Sequence, residues 1–168
     1  MSGLYDIIDV LEQLIREHER MLKLAKQKKE VLIAGAIADL ARIIQFESRS
    51  IKNIQALELE RERHVSLYFM LRGVRKETVY LSDLIEAAGD SEAGRALHRC
   101  QQRLNNLLKE LKNLNELNQQ LIQQSLAYVN LTLEEMTTPV EDHYTYRKPV
   151  EPQFTNRSGG QRFFDSKA

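Results

Sequence analysis

Four histidines and one cysteine are the side chains in this chain best suited to metal or nucleophilic chemistry. In helical di-metal sites a glutamate stands three residues before each liganding histidine, so both leave the same helical face. Here the residues three before His18, His64, His98 and His143 are Ile15, Arg61, Arg95 and Val140. None is a carboxylate, so that chemistry fails. His18 falls between Ile15 and Leu22 on an apolar seam, where a lone histidine is expected as a neutral, hydrogen-bonded core residue. Cys100 sits between Leu97 and Leu104 at helical spacing and reads as a small buried apolar residue rather than a nucleophile. The chain has no G-x-S-x-G, no phosphate loop, no C-x-x-C and no glycine fingerprint. Neither catalysis nor a metal or other cofactor is expected.

Amide side chains offer a different chemistry. Asn105, Asn106, Asn113, Asn115, Asn118 and Asn130 interrupt a leucine-rich stretch, and asparagine is a poor interior helix former that can hydrogen-bond across an interface. Asn118 and Ser125 fall on the apolar seam itself. Two accounts are open: one buried asparagine fixes helix register, or Leu117, Leu121, Ile122, Leu126 and Val129 form a semi-polar groove shared with a partner's helix.

These residues must be positioned by helices. Apolar residues at 4, 8, 11, 15, 22, 25 and 32, widened by Ile7, Leu14 and Met21, follow the 3–4 spacing of a helical seam. They predict a first helix of about 30 residues, roughly 45 Å long. Ala34-Gly35-Ala36 is a weak break, and a second period runs through Ile37, Leu40, Ile44, Ile51 and Ile54 to Leu57, predicting an antiparallel partner for the first helix. Charge saturates residues 58–64, and Gly73 and Gly89 divide 65–89 into what read as two short bridging helices. Gly89-Asp90-Ser91 supplies a stop and then a cap. The last helix carries Leu97, Leu104, Leu107, Leu111, Leu114, Leu121 and Tyr128 to about Met136. No strand alternation and no long repeat is present. The expected fold is all-α, an elongated antiparallel bundle of three long helices with short bridging helices and an extended C-terminal tail.

With 168 residues, 42% of them hydrophobic and 29% charged, the chain fits one helical domain at 1–137 and a tail at 138–168. Zero formal net charge argues against a general nucleic-acid or membrane-surface binder. No stretch approaches the roughly 20 apolar residues of a membrane span, and a single cysteine allows no internal disulfide. A cytoplasmic location is expected. The tail holds all three prolines, Pro139, Pro149 and Pro152, together with Tyr144, Tyr146, Phe154, Phe163 and Phe164. A purely solubilising tail has little use for aromatics, so these are expected to dock on a partner, the alternative being that they pack back on the helices.

Taken in order, the motifs resemble the FlgN family of flagellar type III export chaperones. The likeness runs through Leu-x-x-Leu-Ile-x-Glu at 11–17, Leu32-Ile33-x-Gly35, Asp39-Leu40, Glu47 and Leu57-Glu58-x-x-Arg61. It continues through Asn115-x-x-Asn118-x-x-Leu121-Ile122-x-x-Ser125-Leu126-x-Tyr128-Val129, Thr145-Tyr146 and Phe164-Asp165-x-Lys167-Ala168. The resemblance implies a non-enzymatic chaperone that binds the helical C-termini of hook-associated (hook–filament junction) proteins, prevents their premature assembly and delivers them to the flagellar export gate or its ATPase complex. It implies client contacts at Asn118, Leu121, Ile122, Ser125, Leu126, Tyr128 and Val129, with Tyr146 matching the family's tail tyrosine and Tyr144 beside it. The competing expectation is a structural coiled-coil protein that forms a homodimer through its last helix.

Overall fold

A computed structural model describes residues 2–74 and 78–137 of the chain. Every element among them is helical: α1 (Ser2–Ala34), α2 (Ile37–Met70), α3 (Leu81–Ala88) and α4 (Glu92–Thr137). The aromatic and proline-rich segment at 138–168, with Tyr144 and Tyr146, lies outside the described residues.

Helix α1 is the centre of the fold. Its seam residues Ile7, Leu11, Leu14 and Ile15 are fully buried, and the principal helix pairings are α1 with α2, α1 with α4 and α3 with α4. Burying a leucine or isoleucine of this kind contributes about 1.5–3 kcal/mol each, so α1 is held from two sides.

Contacts along α1 fix the directions. Its start packs with Val65, Tyr68 and Phe69 from the end of α2, while Lys28 near its end pairs with Glu47 near the start of α2 at 2.6 Å. The two are therefore antiparallel, as the sequence pattern predicts. Against α4 the numbering rises together: Glu19 pairs with Arg103, Lys26 with Glu110 at 2.9 Å, and the Ala25 carbonyl with Asn118. Helices α1 and α4 thus run parallel, and only successive long helices are antiparallel.

The break after α1 is real and has a defined chemistry. Gly35 adopts φ 68°, its N–H donates to the Leu32 carbonyl at 3.3 Å, and the Ala36 N–H donates to the Val31 carbonyl at 3.2 Å. This pair of bonds satisfies carbonyls that the ending helix would leave open, in a left-handed geometry that glycine adopts without a Cβ penalty. A Cβ at Gly35 would meet no atom within 4 Å, so Gly35→Ala carries backbone strain alone. We expect it to cost about 1 kcal/mol, read as a lower urea midpoint with unchanged helical circular dichroism.

Helix α2 corrects the sequence reading at its far end. It does not stop at the charged 58–64 stretch but continues to Met70, so among the described residues a single short helix, α3, bridges to α4 in place of two. The charges stay at the surface or half-buried, while Val65, Tyr68 and Phe69 beyond them bury against α1. That apolar grip outweighs the poor helix signal of the charge cluster. The same pair of bonds then closes α2 at Gly73: Gly73 N–H to the Met70 carbonyl at 3.0 Å and Val74 N–H to the Phe69 carbonyl at 3.1 Å. Helix α3 is pinned by fully buried Leu84, and its first turn is tied by the Tyr80 N–H donating to the Asp83 carboxylate at 2.9 Å. Ser91 caps α4 as expected, its hydroxyl accepting from the Gly94 N–H at 3.1 Å.

Candidate partner-binding surface

Helix α4 has 46 residues and α1 has 33, about 69 Å against about 50 Å at 1.5 Å per residue. Because the two run parallel from the same end, α4 outruns its support. The last buried residue on α4 is Asn118. Beyond it Leu121 and Ile122 are half-buried, and Ser125, Leu126, Tyr128, Val129, Leu131, Leu133 and Met136 are exposed. Tyr128 retains 72% of its free accessibility and Leu126 58%. A soluble protein rarely leaves so many large apolar side chains together without a use for them.

The exposed stretch faces the α1–α2 turn. Between them lies an apolar groove of about 600 Å³. Ile122, Gln124, Ser125, Leu126, Tyr128 and Val129 line it from α4, and Val31, Leu32, Gly35, Ala36, Ile37 and Leu40 from the turn. Five of the seven α4 positions expected from the sequence are thereby brought together on one surface. The Ser125 hydroxyl donates to the Leu121 carbonyl at 2.9 Å, which satisfies it within its own helix and leaves the wall smooth. Leu121 stands beside the groove rather than in its lining.

Asn118 stands apart. It is 2% exposed, and its Nδ2 donates to the Ala25 carbonyl of α1 at 2.9 Å. Its Oδ1 is buried and meets no hydrogen-bond donor among the described residues. The asparagine therefore faces α1 within this chain.

The turn side of the groove was not singled out from the sequence. Its signal is nonetheless present: residues 31–37 are Val-Leu-Ile-Ala-Gly-Ala-Ile, without one polar side chain, whereas an ordinary turn gathers Gly, Pro, Asn, Asp and Ser. Ile33 and Ile37 are exposed at 66% and 78%.

His18 uses Nδ1–H to donate to the Leu14 carbonyl at 2.8 Å, and among the described residues no group of three or more His, Cys, Asp and Glu is placed to hold a metal ion. No helix of the described residues is long and apolar enough to cross a membrane. Cys100 is buried. Its thiol is pushed above the ordinary range, first by burial and then by the nearby Glu12 carboxylate, against an opposing effect of Arg99 and Arg103. The folded chain therefore keeps a proton that the unfolded chain gives up as pH rises past the ordinary thiol value. Stability is full below that value and falls as pH climbs toward the raised one. We expect Cys100 to resist an aromatic disulfide reagent at pH 8 and to react at once in denaturant, by at least a hundredfold in rate.

Among the described residues the chain is all helical, and its last helix outruns the core beside an apolar groove. The chain belongs to the FlgN family, whose profile, described as FlgN protein, matches residues 1–152. This is a family of flagellar export chaperones and is not known for enzymatic activity. The chain is also similar to the uncharacterized protein YvyG of Bacillus subtilis (strain 168), with 28% identity over 162 residues that cover 96% of this chain and 97% of the relative. No solved structure matches it.

Proposed function

We propose that the protein is a cytoplasmic export chaperone that holds the C-terminal helical region of hook-associated junction proteins in the groove between α4 and the α1–α2 turn. The observation that carries this reading is the run of exposed apolar residues on α4 opposite an apolar turn. A client segment that is unfolded before assembly and helical afterwards can lay an amphipathic face into such a groove and fold as it binds. A standard interface buries roughly 1,600 Å². Ordering the client helix offsets several kcal/mol of the gross gain, which suits a carrier that must later release its cargo to the export gate or ATPase complex.

Leu121, Ile122, Ser125, Leu126, Tyr128 and Val129 then serve as the client-facing set, widened by Ile37 and Leu40. Residues 1–137 form the chaperone domain, and the 138–168 segment contributes Tyr144 and Tyr146 to client or gate contacts. Mixing the purified chain with full-length junction proteins and measuring mass by light scattering tests this directly. A one-to-one complex that weakens when the chain ends at Thr138 supports both the groove and the segment; no complex with any junction protein overturns the reading.

A second reading has its own observation. Leu131, Leu133 and Met136 are exposed on the last two turns of α4, and a homodimer through that end would cover them. Light scattering of the free chain distinguishes the two, because a structural dimer keeps its doubled mass when client is added.

A further inference from the structure

We infer that Asn118 is a positioning residue whose buried amide fixes which turn of α4 lies against which turn of α1, and so builds the groove. On α4 the residues that face inward repeat every seven: Leu97, Leu104, Leu111, Asn118 and, in the row beside them, Cys100, Leu107, Leu114, Leu121. On α1 the matching row is Leu4, Leu11, His18, Ala25, Leu32. Apolar contacts are non-directional, and rows of similar side chains at one spacing accept a shifted pairing at little cost. A slide of seven residues displaces one helix by about 10 Å and again sets most of the α4 leucines against apolar or small α1 residues, with Asn118 moved opposite His18 or Leu32.

The polar links between these helices are unequal. The Glu19–Arg103 and Lys26–Glu110 pairs are both well exposed, and exposed ion pairs hold long, flexible side chains only weakly. The Asn118 Nδ2 bond to the Ala25 carbonyl is buried and short-armed. It has a place to form because Ala25, itself fully buried, leaves room beside its own backbone. One turn earlier on α1 the facing side chains are the larger Met21 and Leu22, and two turns away they are Leu32 and His18, whose Nδ1 is already engaged by the Leu14 carbonyl. A buried amide that loses its acceptor carries its full desolvation cost, so the wrong registers are penalised where the leucine rows do not penalise them. The Asn118 Oδ1, buried and without a hydrogen-bond donor among the described residues, adds no stability that would account for an amide at this position.

Register matters at this point because the groove starts one turn further on. Ile122, Leu126 and Val129 oppose Val31, Ile37 and Leu40 only when Asn118 lies level with Ala25. The consequence for client binding rests on the proposed function; the consequence for helix position does not.

The test uses the full chain with spin labels at Ala38 and Gln123, two exposed positions outside the groove lining, in wild-type and Asn118→Leu forms. The parent gives one narrow inter-label distance. Asn118→Leu raises the melting midpoint by about 5 °C, by removing a buried, half-satisfied amide, yet broadens or displaces the distance by about 5–10 Å. It also weakens binding of a junction-protein C-terminal peptide tenfold or more. Asn118→Ala lowers the midpoint but gives the same displacement, separating register from stability. An unchanged narrow distance in both variants overturns the inference; unchanged distance with lost peptide binding also overturns it and makes Asn118 a direct contact. Displaced distance with unchanged peptide affinity leaves the register role standing and removes the groove as the client site.

Discussion

Leu126→Glu combined with Val129→Glu lowers affinity for the C-terminal helical region of a junction protein by a hundredfold or more and leaves the chaperone folded. Both side chains lie on the α4 wall of the groove and are at least half exposed in the free chain. They contribute little to the fold's own core. A desolvated anchor in the centre of an interface costs 2 kcal/mol or more when lost, and a buried unpaired carboxylate adds to that penalty. Two such sites together remove about 4 kcal/mol or more, which is roughly three orders of magnitude in Kd. Glutamate is a good helix former, so the circular dichroism of α4 is retained. Calorimetric titration reads the affinity, and the thermal midpoint serves as the control.

The opposite result is expected at Leu97. This residue is completely buried in the cluster where α1, the end of α2, α3 and the start of α4 meet, beside Ile7, Leu11 and Leu84. Leu97→Ala deletes three carbons from a site ringed by four elements and leaves a cavity that cannot collapse fully. The expected cost is about 3–4 kcal/mol, a large share of a marginal stability of about 5–15 kcal/mol, and the melting midpoint falls by about 10 °C. Client affinity per folded molecule stays within a few-fold, since Leu97 lies at the far end of α4 from the groove. Urea unfolding followed by circular dichroism, with peptide titration at a temperature where the variant is folded, measures both. The Leu97 and Leu126/Val129 variants thus separate the half of α4 that holds the fold from the half proposed to hold a partner.

That division was partly legible in the sequence. The first helix, the break at Gly35, the Ser91 cap and the span of the last helix follow from apolar periodicity and end chemistry, and the structure places them as read. The end of α2 does not follow, because the charged 58–64 stretch looks like a helix terminus. Only contact with Leu4 and Ile7, more than fifty residues away in the chain, makes it profitable for Val65 and Phe69 to prolong the helix. The α4 wall of the groove was legible as a leucine pattern diluted by amides. Its other wall, Val31 to Leu40, was hidden because the same residues read as ordinary seam positions on two separate helices. What no periodicity gives is relative length: α4 exceeds α1 by 13 residues, and that excess turns seam into surface. Asn118 illustrates the remaining ambiguity, since a seam asparagine can face a partner or its own bundle, and its bond to Ala25 places it inward.

The central claim is that the groove between α4 and the α1–α2 turn holds the client. A photo-crosslinking residue placed singly at Leu126, at Ile37 and, at the opposite end of α2, at Leu71 tests it most directly, with purified full-length junction protein and mass spectrometric mapping of the adducts. The account predicts adducts from 126 and 37, both on the client's C-terminal helical region, and none from 71. Adducts from 71 with none from 126 or 37 would contradict it.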